Sequence, residues 1–235
     1  MGKTLAKGSQ GRVSAGRKGG KRRSWRRVAG VVVGVILVSI GLRLFVIQAF
    51  RMPSRSMEDT LKVGDCVLVD KMTYGAYLPF IDWRLPAFQS PQVGEVVVFK
   101  YPVDPQKTYV KRCLAVAGQM VEIRNKVVYV DGVRQIDSPF SKYIDARILP
   151  ADTATRDNYG PAQVPPGAIF VVGDNRDNSR DSRHWGFLPL ELVVGRPLCI
   201  YWSIMPQEPD MVGWGDWIWG LWSRIRWQRI GIWVQ

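Results

Sequence analysis

Hydrophobic positions follow two different patterns along the chain. One continuous apolar run occupies residues 28–50, which is long enough for the roughly 20 apolar residues of a membrane-spanning helix. After this run, apolar residues fall in short β-branched segments separated by Gly, Pro, Asn and Asp, the usual pattern of strands and turns. These segments are 65–70, 94–101, 108–118, 121–132, 167–174 and 195–202. The pattern predicts a mostly β, antiparallel fold after one helix.

Loop positions can be predicted in the same way. Asn125-Lys126 and Asp131-Gly132 are expected to form tight hairpin turns, because Asn, Asp and Gly accept the positive φ that such turns require. One short helix is predicted near residues 188–192. The segments 72–93 and 137–166 are rich in Pro, Asp and aromatic residues, and we interpret them as long loops or a small inserted subdomain.

Charge is distributed unevenly. The net charge is +13, but residues 1–27 contain ten basic residues and no acidic ones, while the rest contain 23 basic and 20 acidic residues. This distribution does not favour a nucleic-acid-binding body; it indicates a disordered basic tail. The positive-inside rule places this tail in the cytoplasm and residues 51–235 on the other side of a membrane.

The apolar run 28–50 has a second interpretation, since a cleavable signal peptide has the same order of basic and apolar segments. However, no small-x-small cleavage site follows the run, and the run begins late in the chain. We therefore predict an uncleaved anchor, in which Arg43 extends toward the lipid headgroups.

Two segments contain residues suited to nucleophilic chemistry. Ser54 and Ser56 follow Pro53 and point to the same side of an extended chain, so that one can attack a carbonyl while the other stabilises the oxyanion. Alone, such a pair is common in loops. Lys111 lies in an apolar strand, where a lysine usually marks an edge or reaches the surface. If Lys111 is buried, desolvation lowers its pKa and makes it a general base.

A third segment, residues 173–189, is dense in charged residues, Asn and Ser. It is typical of a polar turn, and it lacks the spacing and the terminal Glu of an EF-hand calcium loop. The chain has a single histidine, His184, which excludes a multi-histidine metal site. We expect no metal and no cofactor.

Taken in order, these segments resemble the type I signal peptidases, which are serine peptidases with a Ser/Lys dyad. The matching boxes are PSRSM, GEVVVFKYP, TYVKR and GDNRDNSRDSRHWG. The first three are short, whereas the fourth is long and matches at every defined position. The resemblance implies an antiparallel β catalytic domain, a small inserted β subdomain within about 119–166, and one preceding transmembrane helix.

The resemblance also implies roles for individual residues. It assigns Ser56 as nucleophile, Lys111 as general base, the Ser54 hydroxyl with the Ser56 N–H as oxyanion hole, and Ser179 as the hydroxyl that orients the lysine. Asp181 and Arg183 correspond to a salt-bridged pair that holds the loop. The residues implied to line small substrate pockets are Phe50, Met52, Met57, Leu61, Tyr109 and Val110.

The implied substrate is an extended preprotein signal peptide with small residues, such as Ala-x-Ala, before the cut. The implied location is the bacterial inner membrane, crossed once, with the catalytic domain outside the cytoplasm. Membrane lipids are then a partner, the secretion translocon lies nearby, and nucleic acid is not a partner.

The chain departs from the family pattern beside the nucleophile. Asp59 stands where Pro is usual, Glu58 precedes it, and Arg55 lies where Gly is frequent. Carboxylates that faced Lys111 would raise its pKa and oppose a neutral base. We therefore expect Glu58 and Asp59 to face solvent and to pair with Arg55.

Three other functions were weighed. A specialised Ser/Lys maturation peptidase of a conjugation or secretion system is the nearest, although the long fourth box disfavours it. A histidine-based hydrolase depends on His184, which lies at a variable position of the box. A non-enzymatic, membrane-tethered interaction protein accounts for residues 1–27 but not for four ordered boxes.

Tryptophan is concentrated near the C-terminus, within a tail over residues 211–235. Six of the ten Trp lie there, at positions 214, 217, 219, 222, 227 and 233. Because Trp favours the membrane–water interface, we predict that Trp214 to Trp222 enters the outer leaflet beside the site. From Arg224 the residues alternate, which predicts a strand returning to the sheet. The alternative is that these Trp fill a core, Trp227 above all.

Overall fold

The computed structural model describes residues 19–41, 43, 46–75, 77–78, 83–206 and 222–235. The chain divides into two units after Gly41. The first contains helix α1, Gly19–Gly41, on which Val31, Leu37 and Val38 are each at least 64% exposed. Among the described residues, no helix combines the length and the apolarity needed to cross a membrane.

The predicted anchor over residues 28–50 is not one helix. Helix α1 ends at Gly41, and strand β1 (Ile47–Arg51) pairs antiparallel with β2 (Asp65–Asp70), from Ile47 opposite Asp70 to Arg51 opposite Cys66. The prediction is wrong at its C-terminal end, because an apolar run alone does not distinguish a helix from a strand.

The second unit is built on antiparallel sheets, which confirms the predicted mostly β class. Its further strands are β3 (Tyr77–Leu78), β4 (Trp83–Arg84), β5 (Val96–Tyr101), β6 (Asp104–Val116), β7 (Met120–Arg124), β8 (Val127–Val130), β9 (Val133–Arg134), β10 (Tyr159–Gln163), β11 (Ala168–Val172), β12 (Leu188–Pro189) and β13 (Val193–Ser203). The large sheet has the order β1-β2-β13-β5-β6-β11-β12, and β3 pairs with β4.

A second sheet, of order β10-β7-β8-β9, lies in sequence between β6 and β11, which pair directly with each other. Asn125 and Lys126 connect β7 to β8 with φ of 51° and 70°, and Asp131 has φ of 52° in the next turn. Both predicted hairpin turns are confirmed. The small sheet shares a core with β6 and β11, in which Val121 and Val128 pack with Leu114 and Phe170.

The helix predicted near residues 188–192 is only a 3₁₀ turn, Leu190–Leu192, after β12. The α-helix of this region is α2, Ser182–Trp185, and the Asp181 side chain caps its N-terminus. The reason is local: the Asp181 carboxylate accepts from the Arg183 backbone N–H, whereas the segment 188–192 has no side-chain cap.

The C-terminal residues return to the large sheet as predicted, but through isolated bridges and not as the predicted strand. Ile225 pairs antiparallel with Ile204, and Trp233 pairs with Cys199. A 3₁₀ turn, Trp227–Arg229, interrupts the alternation. Trp227 is 54% exposed, so the core interpretation is wrong for that residue.

Candidate active site

The two predicted catalytic serines lie in a loop of residues 52–65, here named the serine loop, which connects β1 to β2. Its base is closed by two backbone hydrogen bonds, from Met52 N to Asp65 O (2.8 Å) and from Gly64 N to Met52 O (3.0 Å). Met57 and Leu61 are fully buried and hold the middle of the loop against the sheet. The loop is therefore a packed turn that presents Ser56 from a fixed base.

Lys111 reaches Ser56 from β6. The Lys111 Nζ atom donates to Ser56 Oγ at 2.5 Å and to Val110 O at 3.0 Å. Lys111 is 3% exposed. Burial lowers the pKa of Lys111 to about 8, against the opposing effects of the Asp181 and Asp174 carboxylates. At pH 7 a lysine with that pKa is neutral in about one molecule in ten, compared with about one in several thousand for an ordinary lysine.

Ser54 lies beside the pair on its solvent side. Its Oγ atom is 3.1 Å from Ser56 Oγ, and the residue is exposed. A hydroxyl in this position can rotate toward an oxygen that develops negative charge on a carbonyl attacked by Ser56.

The polar box after β11 packs against the serine loop. The Asn175 N–H donates to Ser56 O at 3.0 Å. Arg112, next to Lys111 on β6, makes a two-pronged ion pair with Asp174, with Nε–Oδ1 and Nη2–Oδ2 distances of 2.8 Å, and Asp174 also accepts from the Thr60 hydroxyl. Neither Arg112 nor Asp174 was predicted to build the site, although Arg112 lies in the TYVKR box and Asp174 in the GDNRDNSRDSRHWG box.

Asp181 and Arg183 form an ion pair within the box. The Arg183 Nε and Nη2 atoms each lie 2.8 Å from an Asp181 carboxylate oxygen, and the Gly173 N–H also donates to that carboxylate. Burial alone raises the pKa of Asp181, but the charge of Arg183 and its hydrogen bonds outweigh it, so the pKa lies below its ordinary value. The carboxylate therefore stays ionised beside Lys111.

Ser179 is buried near Ser56 and is not a hydrogen-bond partner of Lys111, which donates to Ser56 and Val110. Its hydroxyl has no partner within hydrogen-bond geometry, although it lies close enough to the Asp181 carboxylate to lower the pKa of that group. Gly173 separates the two serines: a Cβ at that position would lie 2.3 Å from Ser179 Oγ and 2.6 Å from Ser56 O. Only glycine leaves room for this close approach.

The residues predicted to line substrate pockets fall into two neighbouring groups. Met52, Met57, Leu61 and Val110 are each at most 2% exposed and form one core cluster, and Phe50 packs against it. Tyr109 belongs to the adjacent cluster instead; its ring lies 5.5 Å from Lys111 Nζ and stacks on Tyr101 at 4.6 Å.

An unpaired strand edge runs up to Lys111. Strand β5 pairs with β6 back to Asp104, but β11 covers the other edge of β6 only from Arg112 to Val116. Within the described strands, the edge of residues 104–111 that faces away from β5 carries no partner. Such an edge can accept an extended peptide as an added strand.

Glu58 and Asp59 do not pair with Arg55 as predicted. Both contact Lys142, at 3.2 and 3.3 Å, and both side chains are about a third or more exposed. Arg55 is not the partner because the segment around residue 142 folds back onto residues 173–186, where the Lys142 N–H donates to Asp174 O. His184 faces Asp181 at 4.0 Å, while the Ser56 hydroxyl is bonded to Lys111 and Ser54.

Comparison with known proteins gives consistent results. The model of the family "Signal peptidase, peptidase S26" matches residues 24–202. The chain is 34% identical over 187 residues to a probable signal peptidase I-2 of Synechocystis sp., covering 77% of this chain and 75% of that protein. It is 33% identical to signal peptidase I of Pseudomonas fluorescens, covering 72% and 69%, and 33% identical to that of Bacillus caldolyticus, covering 79% and 92%. A solved signal peptidase I from Enterococcus faecalis shares 26% identity with a TM-score of 0.39, covering 47% of this chain and 98% of that one.

Proposed function

Because the chain belongs to the signal peptidase family S26, we propose that it removes signal peptides with Ser56 as nucleophile and neutral Lys111 as general base. Family membership makes it a serine endopeptidase of signal-peptide processing. The observation that carries the assignment of the dyad is the 2.5 Å contact between Lys111 Nζ and Ser56 Oγ, together with the burial that favours the neutral amine.

The reaction follows from these positions. Neutral Lys111 takes the proton of Ser56 Oγ as that oxygen attacks the scissile carbonyl carbon. The resulting oxyanion receives hydrogen bonds from the Ser54 hydroxyl and the Ser56 N–H. The Lys111 ammonium then protonates the amine of the leaving mature protein, which leaves an acyl-enzyme on Ser56. Lys111 next deprotonates a water molecule that attacks the ester, and it returns the proton to Ser56 as the signal peptide departs with a carboxylate.

The substrate is an extended segment that adds to the free edge of β6 beside residues 104–111. In an extended chain, residues one and three before the cut point to the same side. They then face the cluster of Met52, Leu61 and Val110, which is buried in the core and therefore favours small side chains at both positions. This supports cleavage after small-x-small sequences, such as Ala-x-Ala.

The protein acts at the bacterial inner membrane, with residues 1–27 in the cytoplasm and the catalytic unit outside. Ten basic residues before the apolar run support this orientation, and the exposed apolar face of α1 supports its burial in lipid. A location near the secretion translocon follows from the substrate, which arrives there as an exported preprotein.

The catalytic unit also meets the lipid surface through its C-terminal tryptophans. Trp214, Trp217 and Trp219 lie outside the described residues. Trp222 and Trp227 are 57% and 54% exposed and stack at 5.9 Å. Trp rings in such positions partition to the membrane–water interface, which supports membrane lipids as a partner of this surface.

The test uses the full chain purified in detergent micelles and a synthetic preprotein with an Ala-x-Ala site. We expect one cut after that site, identified by the masses of the two products, and no cut by Ser56→Ala. Ser90→Ala is the matched control, since Ser90 is an exposed loop serine. Cleavage that persists in Ser56→Ala would remove the proposed nucleophile.

A further inference from the structure

A buried carboxylate outside the dyad holds the end of the serine loop. Asp65 is 0% exposed and accepts from Ser203 Oγ at 2.6 Å and from Lys62 N at 2.8 Å. Arg229 Nη2 lies 2.7 Å from Asp65 Oδ2, and Arg226 Nη2 lies 3.1 Å from Oδ1. A buried carboxylate is stable only when paired, and here both charged partners come from the C-terminal segment.

The same two arginines also hold the backbone of the serine loop. Arg229 Nη2 donates to Thr60 O at 3.0 Å, and Arg226 Nη2 donates to Val63 O at 2.7 Å. Each guanidinium therefore joins Asp65 to a carbonyl of the loop. These carbonyls lie four and seven residues after Ser56, between the nucleophile and the closed base of the loop.

The segment that carries the arginines is itself attached to the sheet. Arg226 N donates to Ser203 O at 2.9 Å, and Gly231 N donates to Ile200 O at 2.8 Å. We name residues 224–231 the C-terminal strap. Because β13 supports the strap on both sides of the arginines, the strap can fix the loop.

We propose that Arg226 and Arg229 are positioning residues, which hold the serine loop at the distance from Lys111 that proton transfer requires. The inference rests on the proposed role of Ser56. Substrate binding along β6 does not use the strap. Loss of the contacts between the strap and the serine loop should therefore lower kcat more than it raises KM. A displacement of the nucleophile by about 1 Å can cost a hundredfold in rate.

Single variants should remain folded, because either arginine alone still pairs with Asp65. In the full chain in micelles, we expect Arg229→Gln to lower kcat between about tenfold and a hundredfold with KM within about twofold. Arg229→Lys should recover part of this loss. Arg224→Gln is the matched control, because the Arg224 guanidinium donates to Met205 O instead.

Hydrogen exchange followed by mass spectrometry gives a readout that does not depend on cleavage. The amides of Met52 and Gly64 should exchange faster in Arg229→Gln than in the parent, and at parental rates in Arg224→Gln. Unchanged kcat or unchanged exchange in Arg229→Gln overturns the inference. The inference is also overturned if Arg229→Gln and Arg229→Lys lose activity only in proportion to the fraction of protein that is unfolded. If the parent does not cleave the preprotein, but the Met52 and Gly64 amides still exchange faster in Arg229→Gln than in the parent, the result contradicts the proposed function and not the role of Arg229 in holding the loop.

Discussion

Lys111 Nζ lies 2.5 Å from Ser56 Oγ, although the two residues are 55 positions apart in the chain. This contact brings together the middle of β6 and the turn of the serine loop. The Asn175 N–H on Ser56 O and the Arg112–Asp174 ion pair fix the approach of the two elements. The Ser56–Lys111 contact is thus a property of the fold and not of either segment alone.

The first prediction concerns the nucleophile and its neighbour. Ser56→Ala and Lys111→Ala should each abolish cleavage, and the double variant should be no worse, since a catalytic unit fails as a whole. Ser54→Ala should lose about a hundredfold to a thousandfold in kcat, because it removes one donor to the oxyanion. Single-turnover cleavage measures all four. If Ser54→Ala is as inactive as Ser56→Ala, while Ser56→Cys retains nothing, the two serines have been assigned the wrong way round.

The second prediction concerns pH. The base must be neutral, so activity should rise with pH through the Lys111 pKa of about 8 and level off above it. Lys111→Arg should be inactive across the range, because an arginine does not deprotonate. The measurement is kcat/KM between pH 4 and 10. Burial lowers the pKa of His184 below its ordinary value, so a profile that rises below pH 6.5 and is lost in His184→Ala would transfer the role to His184.

The third prediction is that the buried Lys111 reduces stability. The pKa of Lys111 falls from 10.5 when exposed to about 8 when buried, so the unfolded chain binds more protons between these two pH values. Stability from this group therefore rises as pH increases from about 8 to 10.5, and the full penalty, about 3 kcal/mol, is present below pH 8. Lys111→Met should raise Tm at pH 7 and flatten its rise above pH 8. Lys62→Met, at an exposed position, serves as the control. If Lys111→Met has the same Tm as the parent, other interactions in the folded protein offset the free-energy cost of burying the amine.

The fourth prediction concerns Ser179. Its buried hydroxyl has no partner within hydrogen-bond geometry, but it lies close enough to the Asp181 carboxylate to lower the pKa of that group, so Ser179→Ala should change Tm only slightly. If the hydroxyl turns toward Lys111 once the amine has gained a proton, kcat should fall by roughly tenfold or more, as for a group that supports a general base. Ser182→Ala is the contrast, because that hydroxyl accepts from the Val171 N–H and its loss should reduce stability. Unchanged kcat in Ser179→Ala would make the residue a packing element.

Local features of this structure were predictable, and long-range partners were not. The hairpin turns at Asn125 and Asp131 follow from residues that tolerate positive φ. The Asp65–Arg229 pair joins positions 164 residues apart, and nothing in either local sequence specifies the other. The same limit explains why the sequence predicts Arg55, and not Lys142, as the ion-pair partner of Glu58. The apolar residues of β1 are predicted as part of the helix because the apolar run resumes directly after Arg43.

The last prediction concerns the surface formed by the C-terminal tryptophans. Trp227 stacks on Trp222 and meets Trp202 edge-on at 6.1 Å, and all three are at least 36% exposed. Aromatic surface of this kind is stabilised where an apolar phase meets water. In full chain reconstituted into vesicles that contain brominated lipids, Trp222→Ser combined with Trp227→Ser should reduce the quenching of Trp fluorescence.

The same double variant should lose any increase in cleavage rate that vesicles give over micelles, because the catalytic unit would no longer be held at the surface where a membrane-bound substrate arrives. Phe88→Ser is the control for the rate measurement, since Phe88 is 78% exposed but lies in a different loop. If the double variant shows the same fluorescence quenching as the parent, and the same ratio of cleavage rates in vesicles and micelles, the placement of these Trp residues at the interface is wrong. A large fall in Tm in the double variant would instead make the stacked pair a structural support of the C-terminal strap, because Trp227 lies between Arg226 and Arg229.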